Sequence, residues 1–149
     1  MKICLVCSSG GHLAQLHMLE KCWKKHEHFW VTFDKEDANS LLKDERKYYC
    51  YYPSNRSIKA LIINTRIAIK VLRKEKPDVV ISTGAAPAVP FFFIAKLFRI
   101  KTIYIEIYDR INTSTLSGRL CYKVADKFIV QWEELKEIYP KAICLGSIY

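Results

Sequence analysis

Lys2-Ile-Cys-Leu-Val-Cys-Ser-Ser-Gly-Gly-His12 is the stretch on which the fold turns. Its apolar half, Lys2–Cys7, reads as a buried strand, and Ser8-Ser-Gly-Gly-His12 reads as a turn opening a helix over Leu13–Trp23. The same order recurs downstream: strand Asp78–Ser82, then a loop of small residues through Ser82-Thr-Gly-Ala-Ala-Pro87, then a helix from about Val89 to Phe98. Strands are also expected at His28–Phe33, Lys47–Tyr52, Thr102–Ile107, Lys127–Gln131 and Ala142–Leu145. Helical segments fall at Glu36–Leu42, Ile58–Lys74 (stopped by Pro77), Gly118–Val124 and Glu133–Ile138. Strands separated by helix-length segments imply parallel pairing through right-handed crossovers. The expectation is one domain over residues 1–149, a doubly wound, Rossmann-like α/β sheet. In a 3-2-1-4-5 strand order, the loops after strands one and four flank the ligand crevice. Those are the two glycine-containing loops.

The chain has 149 residues, half of them apolar, enough for a real core and too apolar for disorder. Its 24 Lys and Arg against 15 Asp and Glu give a formal charge of +9. That balance suits polyanions: nucleic acid, anionic lipid or phosphorylated substrates. A nucleic-acid binder is disfavoured, because no recognition helix, aromatic RNA platform or basic tail is visible. Cys4 and Cys7 have CxxC spacing, but residues three apart on a strand point to opposite faces, so neither redox chemistry nor metal binding follows. No paired Cys/His set appears among the six cysteines, so neither a metal nor a cofactor is expected, and reduced thiols fit a cytoplasmic setting. No signal peptide is read. The longest apolar run, Ala85 to Ala95, is too short to span a bilayer, so membrane attachment would be peripheral.

Ser9, Gly10, Gly11 and His12 lie where backbone N–H groups of a helix start can meet phosphate. The loop is neither a Walker sequence nor a complete G-x-G-x-x-G, and Asp34 alone is a weak ribose-binding cue. A tight strand-to-helix turn is the plainer reading. His12 has a pKa range suited to a general base or a phosphate donor, or it caps the helix. Thr83, Gly84 and Ala85 leave room for a phosphate or sugar, or are small for packing. Glu106 ends strand five at the same edge, as a base, a hydroxyl acceptor or an ion-pair partner of Arg110. Arg110, Asn112, Ser114 and Ser117 form a polar loop suited to a sugar or diphosphate. Lys59, Arg66, Lys70 and Arg73 recur at helical spacing. Phe91, Phe92 and Phe93 sit beside Lys96, Arg99 and Lys101. Apolar wedges ringed by cations suit an anionic membrane surface; the plainer reading is core helices with solvated basic backs.

Several of these segments occur in one order: Ser-Ser-Gly-Gly-His12, Ser82-Thr-Gly-Ala-Ala-Pro-Ala-Val-Pro90, Tyr104-Ile-Glu106, Ser117-Gly-Arg-Leu-Cys-Tyr122, Ala125-Asp126, Val130-Gln-Trp132 and Tyr139-Pro-Lys-Ala142. Together they resemble the asparagine-linked glycosylation protein 14 family, including its bacterial capsule and exopolysaccharide members. That family is similar to the N-terminal half of the lipid II-forming N-acetylglucosaminyltransferase of peptidoglycan synthesis, a GT-B enzyme. The resemblance implies the acceptor-binding, membrane-recruiting subunit of a two-chain glycosyltransferase, with the nucleotide-sugar donor held by a partner chain and inversion at the anomeric carbon. The Ser9–His12 and Thr83–Ala85 loops would hold the acceptor diphosphate. His12 and Glu106 would stand nearest the transfer, Arg110, Asn112, Ser114 and Ser117 near the acceptor sugar or the partner. Lys59, Arg66, Lys70, Phe91, Phe92, Lys96 and Arg99 would face the membrane. Eukaryotic members carry an N-terminal anchor and this chain opens at strand one, so a bacterial member at the inner face of the plasma membrane, with an undecaprenyl acceptor, is expected. The rival readings are a recruitment module without chemistry of its own and a small nucleotide-binding regulator.

Overall fold

A computed structural model describes residues 1–54 and 56–148. Seven strands form one sheet: β1 (Lys2–Cys7), β2 (Glu27–Phe33), β3 (Lys47–Cys50), β4 (Val79–Gly84), β5 (Lys101–Ile105), β6 (Lys127–Val130) and β7 (Ile143–Cys144). The helices are α1 (Gly11–Met18), α2 (Glu20–Trp23), α3 (Glu36–Leu41), α4 (Ile58–Glu75), α5 (Ala88–Leu97) and α6 (Leu116–Tyr122), with a 3-10 turn at Glu133–Glu137. The strand order is β3-β2-β1-β4-β5-β6-β7, and every neighbouring pair is parallel. The expected doubly wound, Rossmann-like sheet is therefore present, with the order reversing between β1 and β4.

The alternation of β1 divides the core. Ile3, Leu5 and Cys7 join Leu13, Leu16 and Trp30 on the face covered by α1 to α3. Cys4 and Val6 join Val80, Phe91 and Tyr104 on the face covered by α4 to α6. Cys4 and Cys7 thus lie in different layers, as residues three apart on a strand must. Burial pushes both thiols up, which keeps them protonated and unreactive.

Three boundaries differ from expectation, each for a local reason. The helix expected over 13–23 breaks at Leu19, because the Leu16 carbonyl accepts the Trp23 indole N–H at 3.1 Å. β3 stops at Cys50 rather than Tyr52, because Asn64 on α4 takes both backbone groups of Tyr51: its Oδ1 accepts from the N–H at 2.7 Å and its Nδ2 donates to the carbonyl at 3.2 Å. α6 starts at Leu116, two residues early, because the Thr115 hydroxyl caps it by accepting from Gly118 N–H at 2.9 Å.

α5 corrects one expectation directly. Phe91 and Phe92 are fully buried against the sheet, so they are core residues and not a membrane wedge. Helical period turns Phe93 and Leu97 outward instead, with Lys96 and Arg99 also exposed. Among the described residues no helix is long and apolar enough to cross a membrane.

The amino-terminal edge of the sheet is locked by charge. The buried Glu75 carboxylate, at the end of α4, meets Lys2 Nζ at 2.7 Å and Arg46 Nη2 at 3.1 Å, and accepts from the Tyr48 hydroxyl. Burial pushes its pKa up, but the bonds from Lys2 and Tyr48 and the charge of Arg46 more than offset this, leaving it low. Its contribution is therefore present above the ordinary carboxylate range and lost as pH falls through it. Glu75→Ala removes the buried acceptor shared by Lys2, Arg46 and Tyr48 and leaves both cations with Glu27 alone among the described residues; it is expected to cost about 1–2 kcal/mol in urea denaturation at pH 7, with the deficit shrinking on acidification below pH 4.

Candidate functional site

The loops after β1 and β4 meet at the carboxyl edge of the sheet and are tied by two reciprocal hydrogen bonds. His12 Nδ1 lies 2.8 Å from the Thr83 carbonyl, and the Thr83 hydroxyl donates to the His12 carbonyl at 2.7 Å. A carbonyl only accepts, so Nδ1 carries the proton and Nε2 is left with a lone pair. Burial lowers the His12 pKa and Arg110 adds to that, while the Thr83 bond and Asp109 oppose it. The ring is thus neutral at pH 7 with a bare, basic Nε2.

Gly84 makes this contact feasible. Its φ is 109°, and a Cβ there would lie 2.5 Å from the Tyr104 hydroxyl and 3.4 Å from His12 Cε1. Beside it a cleft of about 650 Å³ opens, whose lining includes His12, Ala85, Ala86, Thr115 and Ser117. Its walls are Ile58 and Leu61 from α4, Val89 and Pro90 from α5, and Leu116 and Leu120 from α6. Ser54, Arg56 and Ser57 add a polar rim. Arg56 and Ala85, two lining residues that are not glycine, hold positive φ of 50° and 69°. Backbone strain of this kind concentrates where a fold shapes a binding surface.

The expected site residues divide into three groups. His12, Ala85 and Ser117 line the cleft, with Thr83 and Gly84 buried immediately behind. Ser9 is half-buried and Gly10 and Gly11 are exposed at the start of α1, outside the cleft lining. The Gly10 N–H already donates to Asp37 Oδ2 at 2.7 Å. Arg110 bears on His12 electrostatically and its Nη1 donates to Thr113 at 3.4 Å. Asn112 is exposed, and Ser114 accepts from Arg119 Nε at 2.5 Å.

Glu106 departs from its expected place. It is fully buried, so it does not stand in the cleft beside the transfer. Oε2 accepts from the Tyr139 hydroxyl at 3.2 Å, and Oε1 has no hydrogen-bond partner among the described residues. A Cβ on Gly118 would lie 2.5 Å from Oε2, so Glu106 presses against the first turn of α6. Burial pushes its pKa up to about 7, against the opposing bonds from Tyr139 and the Ile107 backbone and the charge of Arg110. The carboxyl therefore shapes the cleft wall from behind. The α4 wall was missed from sequence, because Ile58 and Leu61 read only as part of an amphipathic helix. Among the described residues no cluster of metal-ligating side chains is present.

Residues 50–148 match the family described as Oligosaccharide biosynthesis protein Alg14 like. The chain belongs to this family. It is similar to the UDP-N-acetylglucosamine transferase subunit ALG14 of Mus musculus, 39% identical over 99% of this chain and 83% of that protein. The subunit of the same name from Yarrowia lipolytica is 35% identical over 95% and 78%, and the one from Homo sapiens is 27% identical over 99% and 83%. Among solved structures, Acinetobacter baumannii MurG superposes with a TM-score of 0.75 at 18% identity, over 89% of this chain and 42% of its own. A Methanocaldococcus jannaschii UDP-GlcNAc 2-epimerase superposes with a TM-score of 0.79 at 17% identity, over 99% and 47%. The Alg14-like chain therefore has the Rossmann-like sheet of these GT-B-type structures and spans less than half their length.

The raised pKa of Glu106 has a stability consequence. A carboxyl whose folded pKa exceeds its usual 4.5 stabilises the fold below that value, and the stabilisation is lost as pH rises through about 7. Glu106→Gln, which keeps the shape without the charge, is expected to match wild type in melting temperature at pH 4, below the usual carboxylate value. At pH 8.5 it should be more stable by up to about 3 kcal/mol, read by thermal denaturation at both pH values.

Proposed function

We propose that this chain is the acceptor-binding, membrane-recruiting subunit of a two-chain glycosyltransferase. The carrying observation is the cleft itself. His12, whose Nε2 carries no proton, lines it together with Thr115 and Ser117, and Ile58, Leu61, Val89, Pro90, Leu116 and Leu120 make the rest largely apolar. A lipid-linked diphosphate sugar likewise combines a polar head with an apolar tail. Family membership supports the reading, since the curated relatives are named as subunits of a UDP-N-acetylglucosamine transferase.

In this reading the chain acts as a single acceptor-binding unit. The partner holds the nucleotide-sugar, and the acceptor lies with its diphosphate near Ala85, Ser117 and the α1 start. The acceptor hydroxyl oxygen attacks the anomeric carbon, its proton passes to His12 Nε2, and the bond to the nucleoside diphosphate breaks as that group leaves. His12 is suited to the role because Thr83 fixes its tautomer and burial keeps it neutral. Glu106 sets the position of α6 and takes no proton from substrate. A bacterial capsule or exopolysaccharide setting with undecaprenyl diphosphate, at the inner face of the plasma membrane, is the specific form carried from the resemblance. The curated relatives named above are eukaryotic subunits, so chain length and acceptor sugar are for the assay to decide.

The membrane face is the exposed side of α4 and α5. Ile58, Leu61 and Ile62 stand out beside Lys59, Arg66 and Lys70, and Phe93 and Leu97 beside Lys96 and Arg99. The two helices touch through Arg73, whose guanidinium lies 5.5 Å from the Phe98 ring centre.

Two measurements test the proposal. With the partner chain, UDP-N-acetylglucosamine and an undecaprenyl- or dolichyl-diphosphate-linked sugar, His12→Ala should lower turnover by about 100-fold or more, while the lost bond to the buried Thr83 carbonyl costs only about 1–2 kcal/mol of stability, so that the variant stays folded in the assay. The acid limb of wild-type kcat/KM should lie below pH 6.5. Full turnover by the variant, or by wild type without a partner, overturns the assignment. In cosedimentation with vesicles of 30% anionic lipid, the triple change Lys59→Ala, Arg66→Ala and Lys70→Ala should weaken binding about tenfold or more. Undiminished binding places the membrane contact elsewhere.

A further inference from the structure

Tyr108 and Trp132 form an aromatic pair just beyond the ends of β5 and β6, at the same sheet edge as His12. Their ring centres are 5.0 Å apart with planes inclined at 49°, and Tyr108 is 40% exposed. The backbone beneath them is held from three directions. Gln15 on α1 accepts from Tyr108 N–H at 3.0 Å, the Trp132 indole N–H donates to Tyr108 O at 2.7 Å, and Gln131 Nε2 donates to Glu106 O at 3.1 Å. None of these bonds uses the Tyr108 side chain. The fold thus fixes a short surface segment firmly and then leaves a large ring on it facing outward. A rigid amphipathic ring loses little freedom on binding, which is what a recognition surface needs.

The pair is also tied to the helix that carries His12, through the bond from Tyr108 N–H to Gln15. Gln15 lies three residues after His12 on α1, on the same side of the helix and within about 5.4 Å along its axis. Asp109 and Arg110, the next residues after Tyr108, both act on His12 electrostatically. Neither Tyr108 nor Trp132 lines the apolar cleft, so their exposed surface is separate from its walls. An acceptor lying in the cleft has its lipid against α4, α5 and α6 and its anionic group near Ala85 and Ser117. The hydroxyl that gives its proton to His12 belongs to a sugar ring, and that ring needs a surface for its C–H face. The electron-rich face of an aromatic side chain is such a surface.

We propose that the Tyr108–Trp132 pair, held by Gln15, is the sugar subsite of the acceptor: the Tyr108 ring stacks on the pyranose that carries the reacting hydroxyl, and Trp132 supports it. The inference rests on the acceptor reading above and adds the residues that would read the sugar. A docking face for the partner chain is the rival use of an exposed aromatic pair. The tie through Gln15 to the helix of His12 favours the sugar.

The test uses the full chain and two soluble probe types in calorimetric titration: farnesyl diphosphate, and farnesyl diphosphate carrying N-acetylglucosamine or glucose. Wild type should bind a sugar-bearing probe more tightly than the bare one. Tyr108→Ala should weaken the sugar-bearing probe about fivefold and leave farnesyl diphosphate unchanged. Tyr108→Phe should restore the difference. Circular dichroism checks that the variants are folded, which the backbone-only anchoring predicts. If Tyr108→Ala leaves both affinities unchanged, or weakens both equally, the subsite is overturned. If it keeps sugar discrimination but no longer copurifies with the donor-binding partner, the pair is a docking face and the inference is wrong. If wild type binds neither probe, the acceptor reading itself fails; if it binds both equally, only the sugar subsite does.

Discussion

The reciprocal pair of hydrogen bonds between His12 and Thr83 is the constraint on which the rest of the site depends. It joins the turn after β1 to the turn after β4 across the point where strand order reverses. Parallel sheets of this kind leave a crevice there because the two crossovers run to opposite faces. Here the crevice is closed at its floor by side chain and backbone together, and the same bond that closes it selects the histidine tautomer. Gly84 permits the approach, since Tyr104 occupies the volume that any larger residue would need. Position and tautomer therefore follow from one contact, while the neutral state follows from burial, which outweighs the opposing pull of that same bond.

Glu106 and His12 show how two titratable groups at one sheet edge diverge. Both are moved by burial, in opposite directions, because burial disfavours whichever form is charged. His12 retains an open nitrogen at the cleft. Glu106 is sealed behind α6, with Tyr139 on one oxygen and the small Gly118 above it. A carboxyl so enclosed bears on the cleft through the helix packed against it.

The doubly wound sheet was legible because β-branched and apolar runs alternate with helical segments, and because the two glycine loops fall after the two strands that flank the switch. His12 and Ala85 could be placed at this edge for the same reason, since loop position follows from strand order, whereas Ser117 was read only from the polar stretch around it and lies on α6. Phe91 and Phe92 were misread. Three consecutive aromatics look like a wedge, yet α5 lies flat on the sheet, and only one of the three can face out. The α4 wall and the Tyr108–Trp132 pair were not legible, because each is assembled by partners remote in sequence. Asn64 draws Tyr51 onto α4, and Gln15 reaches Tyr108 from the other end of the chain. Glu106 follows the last residue of β5 and keeps its alternation, facing the α4–α6 layer as Tyr104 does; what the sequence did not reveal is that α6 lies directly over it.

The carboxylate of Asp37 on the Gly10 amide means that this turn carries its own counter-ion. A phosphate arriving at the glycine pair finds one donor already spent on a tethered rival of the same sign. Such a ligand either evicts Asp37 and releases α3 from that tie, or settles further along, toward Ala85 and Ser117. The glycine turn, the most familiar-looking feature of the chain, is in that sense half-occupied by the protein itself, and the less conspicuous side of the crevice is the one left open.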